Sequence, residues 1–160
     1  MANLQRAIEE LDNRTNELFE AAQWEQKKFQ NLGMQVKKKN DRKDWGTLLL
    51  FVKRRGKNTF EIFWHKKKWV KKFKPKPGES PWLLHSAHIK KGKSDHYPMH
   101  ILLAGVKDWE KEEVPGFEDT FAGIRRELRA IMRSRLVLSG YIQAEQRRAA
   151  VLDETPAVVA

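Results

Sequence analysis

Leu4, Ile8, Leu11, Thr15, Leu18, Ala22, Glu25, Phe29 and Leu32 recur at alternating intervals of four and three. That is the a/d rhythm of a helix burying one long seam, with polar lapses at Thr15 and Glu25. The spacing predicts a helix over residues 3–31, with Gly33 as a plausible stop. The same rhythm returns at the far end in Phe117, Phe121, Ile124, Leu128, Ile131, Arg135, Leu138, Ile142 and Ala149, interrupted by Arg135 and Glu145. Pro115 and Gly116 precede this seam, Glu118 and Asp119 suit a helix N-terminus, and the expected helix is 116–150 with a weak point at Gly140. Two such seams at opposite ends of one chain pack most simply as an antiparallel pair; the alternative is that each pairs with a second copy.

The period changes between them. Trp45–Val52 is a short apolar run, Arg55-Gly56-Lys57-Asn58 a turn, and Thr59–Trp64 an aromatic and β-branched run, which together read as a β-hairpin. Trp69–Phe73 reads as a third strand after a turn at His65-Lys66-Lys67-Lys68, and Trp82–Ile89 as a fourth. Pro75, Pro77, Gly78 and Pro81 mark a loop between these two. Alternation puts Phe60, Ile62 and Trp64 on the core face and Glu61, Phe63 and His65 on the other. Met99–Glu113 is read as a short helix ending near Pro115. The expected fold is therefore α+β, with long N- and C-terminal helices as an antiparallel pair and a small antiparallel sheet, residues 44–90, inserted between them. Residues 1–152 are expected as a single domain and 153–160 as a frayed tail.

Charge follows the same division. Lys27–Lys93 holds 21 basic and four acidic residues, whereas the rest of the chain holds 11 basic and 17 acidic ones. A surplus of 17 in one segment is more than solubility or edge protection asks for, and it fits a polyanion-binding footprint. The cations fall in three groups at expected turns: Arg54, Arg55, Lys57 with Asn58; Lys66, Lys67, Lys68 with Lys71 and Lys72 beyond; and Lys90, Lys91, Lys93. These are the candidate DNA-binding residues. Trp64, Trp69, Phe73 and Trp82 interleave with them, as core filling or as stacking surfaces for unpaired bases. An anionic membrane is a weaker candidate, because the basic segment reads as strands and loops and not as a basic amphipathic helix. An acidic protein partner is the remaining alternative.

Other chemistry is poorly represented. The absence of cysteine excludes disulfides and thiolate metal sites. His85 and His88 would point to opposite faces of a strand, with His96 and His100 nearby in sequence but no carboxylate close enough to complete a ligand set. Tyr97 and Tyr141 lack the histidine cluster that accompanies a nicking tyrosine. Asp108, Glu110, Glu112 and Glu113 read as an exposed acidic helix turn, and Arg55-Gly56-Lys57 does not match a phosphate-loop spacing. The chain is expected to be a binding protein without catalytic activity, metal or cofactor. It has no apolar run of spanning length and no signal-like start, so a cytoplasmic place is expected.

Leu4-Gln5-Arg6-Ala7-Ile8; Phe60-Glu61-Ile62-Phe63-Trp64-His65-Lys66; His88-Ile89-Lys90-Lys91-Gly92 through Tyr97-Pro98-Met99; Lys107-Asp108-Trp109-Glu110; and Arg125-Arg126 together resemble the MobI proteins of conjugative plasmids and integrative elements. The resemblance spans about residues 3–145 and leaves the Pro75–Pro81 loop and the tail after Asp153 unmatched. It implies an auxiliary transfer protein that recognises double-stranded DNA at the origin of transfer and assists relaxosome assembly without cutting. The implied partners are that DNA and the relaxase, with a homodimer possible. The alternatives from the residues themselves are an RNA- or single-strand-binding protein, with Trp69 or Trp82 stacking on bases, and a helical scaffold for a protein partner.

Overall fold

The computed structural model describes residues 1–41 and 44–154. Helix α1 (Ala2–Lys39) leads to a three-stranded antiparallel sheet, β1 (Leu48–Arg54), β2 (Phe60–Lys71) and β3 (Trp82–His88), in that spatial order. A single turn, α2 (Met99–Leu102), precedes the long helix α3 (Asp108–Glu154). The expected α+β architecture is the observed one.

The two seams meet within the chain and run antiparallel. Phe29, late in α1, packs on Trp109 and Phe117, early in α3, with ring centroids 6.0 and 5.6 Å apart. Asp12, early in α1, accepts from Arg135 Nε at 2.8 Å, late in α3. Two of the four polar lapses are thereby accounted for: Arg135 has its partner across the seam, and the buried Thr15 hydroxyl donates to the Leu11 carbonyl at 3.0 Å. Helix α1 continues past the expected stop at Gly33, which sits beside the Trp109 ring, to Lys37, Lys38 and Lys39. Three cations in a last turn favour the negative end of the helix dipole, and this outweighs the modest propensity loss at one glycine.

Helix α3 also differs from expectation. It starts at Asp108, not 116, and passes through Pro115 and Gly116 without a break. Proline removes one helix hydrogen bond, at a cost of about 3 kcal/mol in a free helix. Here Glu110 and Val114 on one side of it, and Glu118 and Phe121 on the other, are all fully buried, so packing on both sides of the proline offsets that loss. Nor does Gly140 interrupt α3, and Asp153 and Glu154 belong to its last turn. The remainder of the expected tail, 155–160, lies outside the described residues.

The sheet lays Leu48, Leu50, Phe60, Ile62 and Trp64 against the helices, as alternation predicts. Trp64 is fully buried, edge-on to Phe29 at 5.1 Å and to Phe121 at 6.2 Å. One expectation fails: His65–Lys68 is no turn. The segment holds no Gly, Pro, Asn or Asp to break a strand, and β2 runs on for 12 residues, paired to β1 as far as Lys66 and to β3 from His65 onward. Among the described residues there are thus three strands, not four.

Candidate nucleic-acid interface

Strand β1 ends its pairing at Leu48, opposite Lys66. Beyond that point β2 and β3 continue alone as a two-stranded ribbon: Lys68 faces His85, Trp69 faces Leu84, Val70 faces Leu83 and Lys71 faces Trp82. All eight of these residues are exposed. A ribbon exposed on both faces stands clear of the helices. Lys72 N–H donates to the Pro81 carbonyl at 2.8 Å and closes the ribbon under the Pro-rich loop, which forms its tip. From Lys68 to Trp82 the ribbon and tip carry five lysines (68, 71, 72, 74 and 76) against one acid, Glu79, whose carboxylate is 3.6 Å from Lys72.

The other expected basic residues divide. Lys66 is not at a tip; its ammonium donates to the Ala104 carbonyl. Lys67 donates to the Gly46 carbonyl at 3.4 Å, and burial, then Lys37, hold its pKa below the ordinary lysine value. These two are anchored on the body of the protein, while Lys68 is exposed on the ribbon. The Arg55–Asn58 turn forms as expected, with Gly56 at φ +72°, but Arg55 pairs with Glu61 at 2.7 Å and Arg54 donates to Asn16 at 2.9 Å. Lys57 is exposed. Arg55 meets Lys90 and Lys91 around one cleft of about 660 Å³, whose wall also includes Arg129. Lys91 is tied to the Ser94 carbonyl, whereas Lys90 and Lys93 are exposed. Two of the three basic groups therefore converge on the cleft, and the third belongs to the ribbon at the opposite end of β2.

Between these ends the sheet turns its other face outward. Phe51 and Phe63 stack there at 5.2 Å, and His65 and His88 meet at 5.3 Å as directly paired residues of β2 and β3. Desolvation, His88 and Lys53 lower the His65 pKa. Among the described residues no group of three or more His, Asp or Glu side chains is placed to hold a metal. Tyr97 is buried, and its hydroxyl accepts from the Trp64 N–H at 3.3 Å. Among the described residues no helix is long and apolar enough to cross a membrane.

Two carboxylates thought to be exposed acids or helix-start residues are fully buried and organise the frame beneath the sheet. Glu110 accepts from Thr47 N–H and Thr47 Oγ1 at 2.9 Å, from Leu48 N–H at 2.8 Å and from Lys107 N–H at 3.1 Å. The last bond is half of a capping box, and the others fasten β1 to the start of α3. Glu118 accepts from Arg125 at 2.6 Å, from the Trp64 indole N–H at 2.8 Å and from Tyr97 N–H at 2.9 Å. Arg125 also donates to the carbonyls of Ile62 and Asp95. The segment after β3 is thereby tied to both sheet and helix.

Next to this frame, His96 Nε2 is 2.8 Å from Asp119 Oδ1 and Nδ1 is 2.7 Å from the Tyr97 carbonyl. Both partners accept, so both ring nitrogens donate in the protonated form. The Asp119 bond, then the Tyr97 bond, raise its pKa. A raised pKa adds stability that is complete below the unfolded value of about 6.5 and is lost as pH rises through the folded value. Wild type should accordingly exceed His96→Gln in melting temperature by more at pH 5.5 than at pH 8.5; thermal melts showing an equal gap at both would contradict this bonding.

A family model described as MobI protein matches residues 18–139. That range contains Phe60–Lys66, His88–Met99, Lys107–Glu110 and Arg125-Arg126, but not Leu4–Ile8. No curated protein and no solved structure matches the chain. With the family model covering about three quarters of its length, the chain belongs to the MobI family, a family of conjugative-transfer accessory proteins.

Proposed function

We propose that this protein binds duplex DNA at an origin of transfer and assists the relaxase in assembling there, as a binding factor with no catalytic step of its own. The observation that carries the reading is the β2–β3 ribbon. A two-stranded β-ribbon enters a groove of B-DNA, major or minor, and lysines along such a ribbon reach phosphates on the groove walls. Lys90, Lys93 and Lys57, on the exposed loops at the other end of the sheet, extend the basic track. The helical pair is the scaffold, and the relaxase contact falls to α3, where Leu136, Val137 and Tyr141 stand exposed. A second copy meeting that face would give a homodimer, which sedimentation without DNA would reveal.

Lys68→Ala, Lys71→Ala and Lys74→Ala combined should leave the fold intact, because all three side chains are exposed. Each lost phosphate contact flattens the dependence of log K on log salt by about 0.9. The triple variant should therefore show a slope shallower by about two to three in a salt titration of DNA affinity. An unchanged slope removes the ribbon from the interface. Lys66 and Lys67 are poorer probes, since their substitution also removes contacts to the protein body.

A single-strand reading has its own support. Trp69 and Trp82 are 64% and 50% exposed, and strand alternation places them on one face of the ribbon as diagonal neighbours. Competition between duplex and single-stranded oligonucleotides, followed by tryptophan fluorescence in wild type and Trp69→Phe, separates the two.

A further inference from the structure

The ribbon ends in an apolar point. Phe73 lies two residues beyond the end of β2 and is 91% exposed, more than any other large apolar side chain among the described residues. Water penalises such a ring, and the Lys74 ammonium lies over it, 5.6 Å from its centroid. Lys71, Lys72, Lys74 and Lys76 surround it in sequence. The tip is also stiffened. Pro75, Pro77 and Pro81 fix their own φ angles, Lys72 N–H is bonded to Pro81, and Glu79 N–H donates to the Lys76 carbonyl at 3.0 Å. Lys74 takes the left-handed region at φ +53°, uncommon for a residue with a side chain, so the chain bends immediately after the ring, ahead of the turn at Lys76–Glu79.

A rigid, basic tip that presents one large ring is suited to a particular kind of contact. Lysines hold a point against phosphates, and a ring set among them reaches the apolar space between stacked base pairs. Proteins that insert a Phe or similar wedge there partly unstack the step and kink the helix. From Lys68 to Lys72, where the bond to Pro81 closes the ribbon, runs roughly 14 Å at about 3.4 Å per residue, which carries the ring away from the protein body.

We propose that Phe73 is a wedge that enters between base pairs and that this protein bends the DNA it binds. The inference rests on the duplex-binding reading above. Flexible pyrimidine–purine steps are the easiest to unstack, so a TA or CA step under the tip is the favoured target.

The test uses the full-length protein and a duplex carrying the origin of transfer, labelled with a fluorophore at each end. Binding is read by anisotropy and bending by energy transfer between the ends. Wild type should raise energy transfer on saturation. Phe73→Ala should bind within about tenfold of wild type yet lose most of that rise, and Phe73→Leu, which keeps an apolar wedge, should retain most of it. Binding by wild type without any change in energy transfer would overturn the bending. Equal energy transfer for wild type and Phe73→Ala would overturn the wedge and leave the ring for a protein contact. An absence of anisotropy change in wild type would instead strike the duplex-binding reading itself.

Discussion

Arg125→Ala should cost about 3–5 kcal/mol of folding stability, because removing one member of a buried ion pair strands the other. The Arg125 side chain is 9% exposed and its partner Glu118 fully buried. The guanidinium reaches further than that pair. It also donates to Ile62 O and Asp95 O, and lies 5.1 Å over the Tyr97 ring, so its loss unties β2 and the His96–Tyr97 segment from α3 together. Against a usual total of 5–15 kcal/mol, such a loss is a large fraction of what holds the protein folded. Urea unfolding monitored by tryptophan fluorescence measures it. Arg125→Lys should recover only part, since an ammonium does not reproduce the planar fork. Replacing both members, as Glu118→Leu with Arg125→Met, should also fall short of wild type. The Trp64 indole and the Tyr97 amide would then lack their acceptor. A loss below about 1 kcal/mol for Arg125→Ala would be a surface-pair value and would contradict the burial.

Glu110→Ala should be nearly as damaging, at about 3 kcal/mol, since four donors lose one acceptor group and Leu48 N–H lies where water does not reach. Glu110→Gln should not rescue fully. Every partner of this carboxylate is a donor: three bond Oε1 and Leu48 N–H bonds Oε2. An amide set to satisfy the first three turns its own N–H₂ toward the Leu48 N–H. Hydrogen exchange offers a local readout. The Thr47 and Leu48 amides should exchange faster in both variants, and more so in Glu110→Ala. Unchanged exchange there would mean that Glu110 does not hold β1 to α3.

The helices and the core face of β2 were legible because a seam of period 3.5 and a strand of period 2 write themselves directly into sequence. Two of their polar lapses were benign: Thr15 bonds within its own helix, and Arg135 finds Asp12 from the opposite end of the chain. Lys66–Lys68 misled because a run of charge resembles an exposed turn. Charge alone does not bend a backbone, and here two of the three lysines lean on carbonyls of the protein body. Pro115 misled because helix propensity is local, whereas the burial of Val114 and Phe121 on either side of it is not. Glu110 and Glu118 look like solvated acids in a string of residues. Faint signals were present: Glu110 stands three residues after Lys107, a capping-box spacing, and Glu118 lies seven residues before Arg125, two turns along the buried seam. The ribbon was hidden for a related reason, since its projection depends on where β1 stops pairing.

The proposed function requires the basic ribbon to lie against a phosphate backbone. Its most direct test is the mobility of a DNA fragment bearing the origin of transfer at low ionic strength, with purified full-length protein. The predicted result is a retarded complex that weakens steeply as salt rises and outlasts the complex formed on an unrelated duplex of equal length. Failure to retard any DNA fragment under those conditions would contradict it.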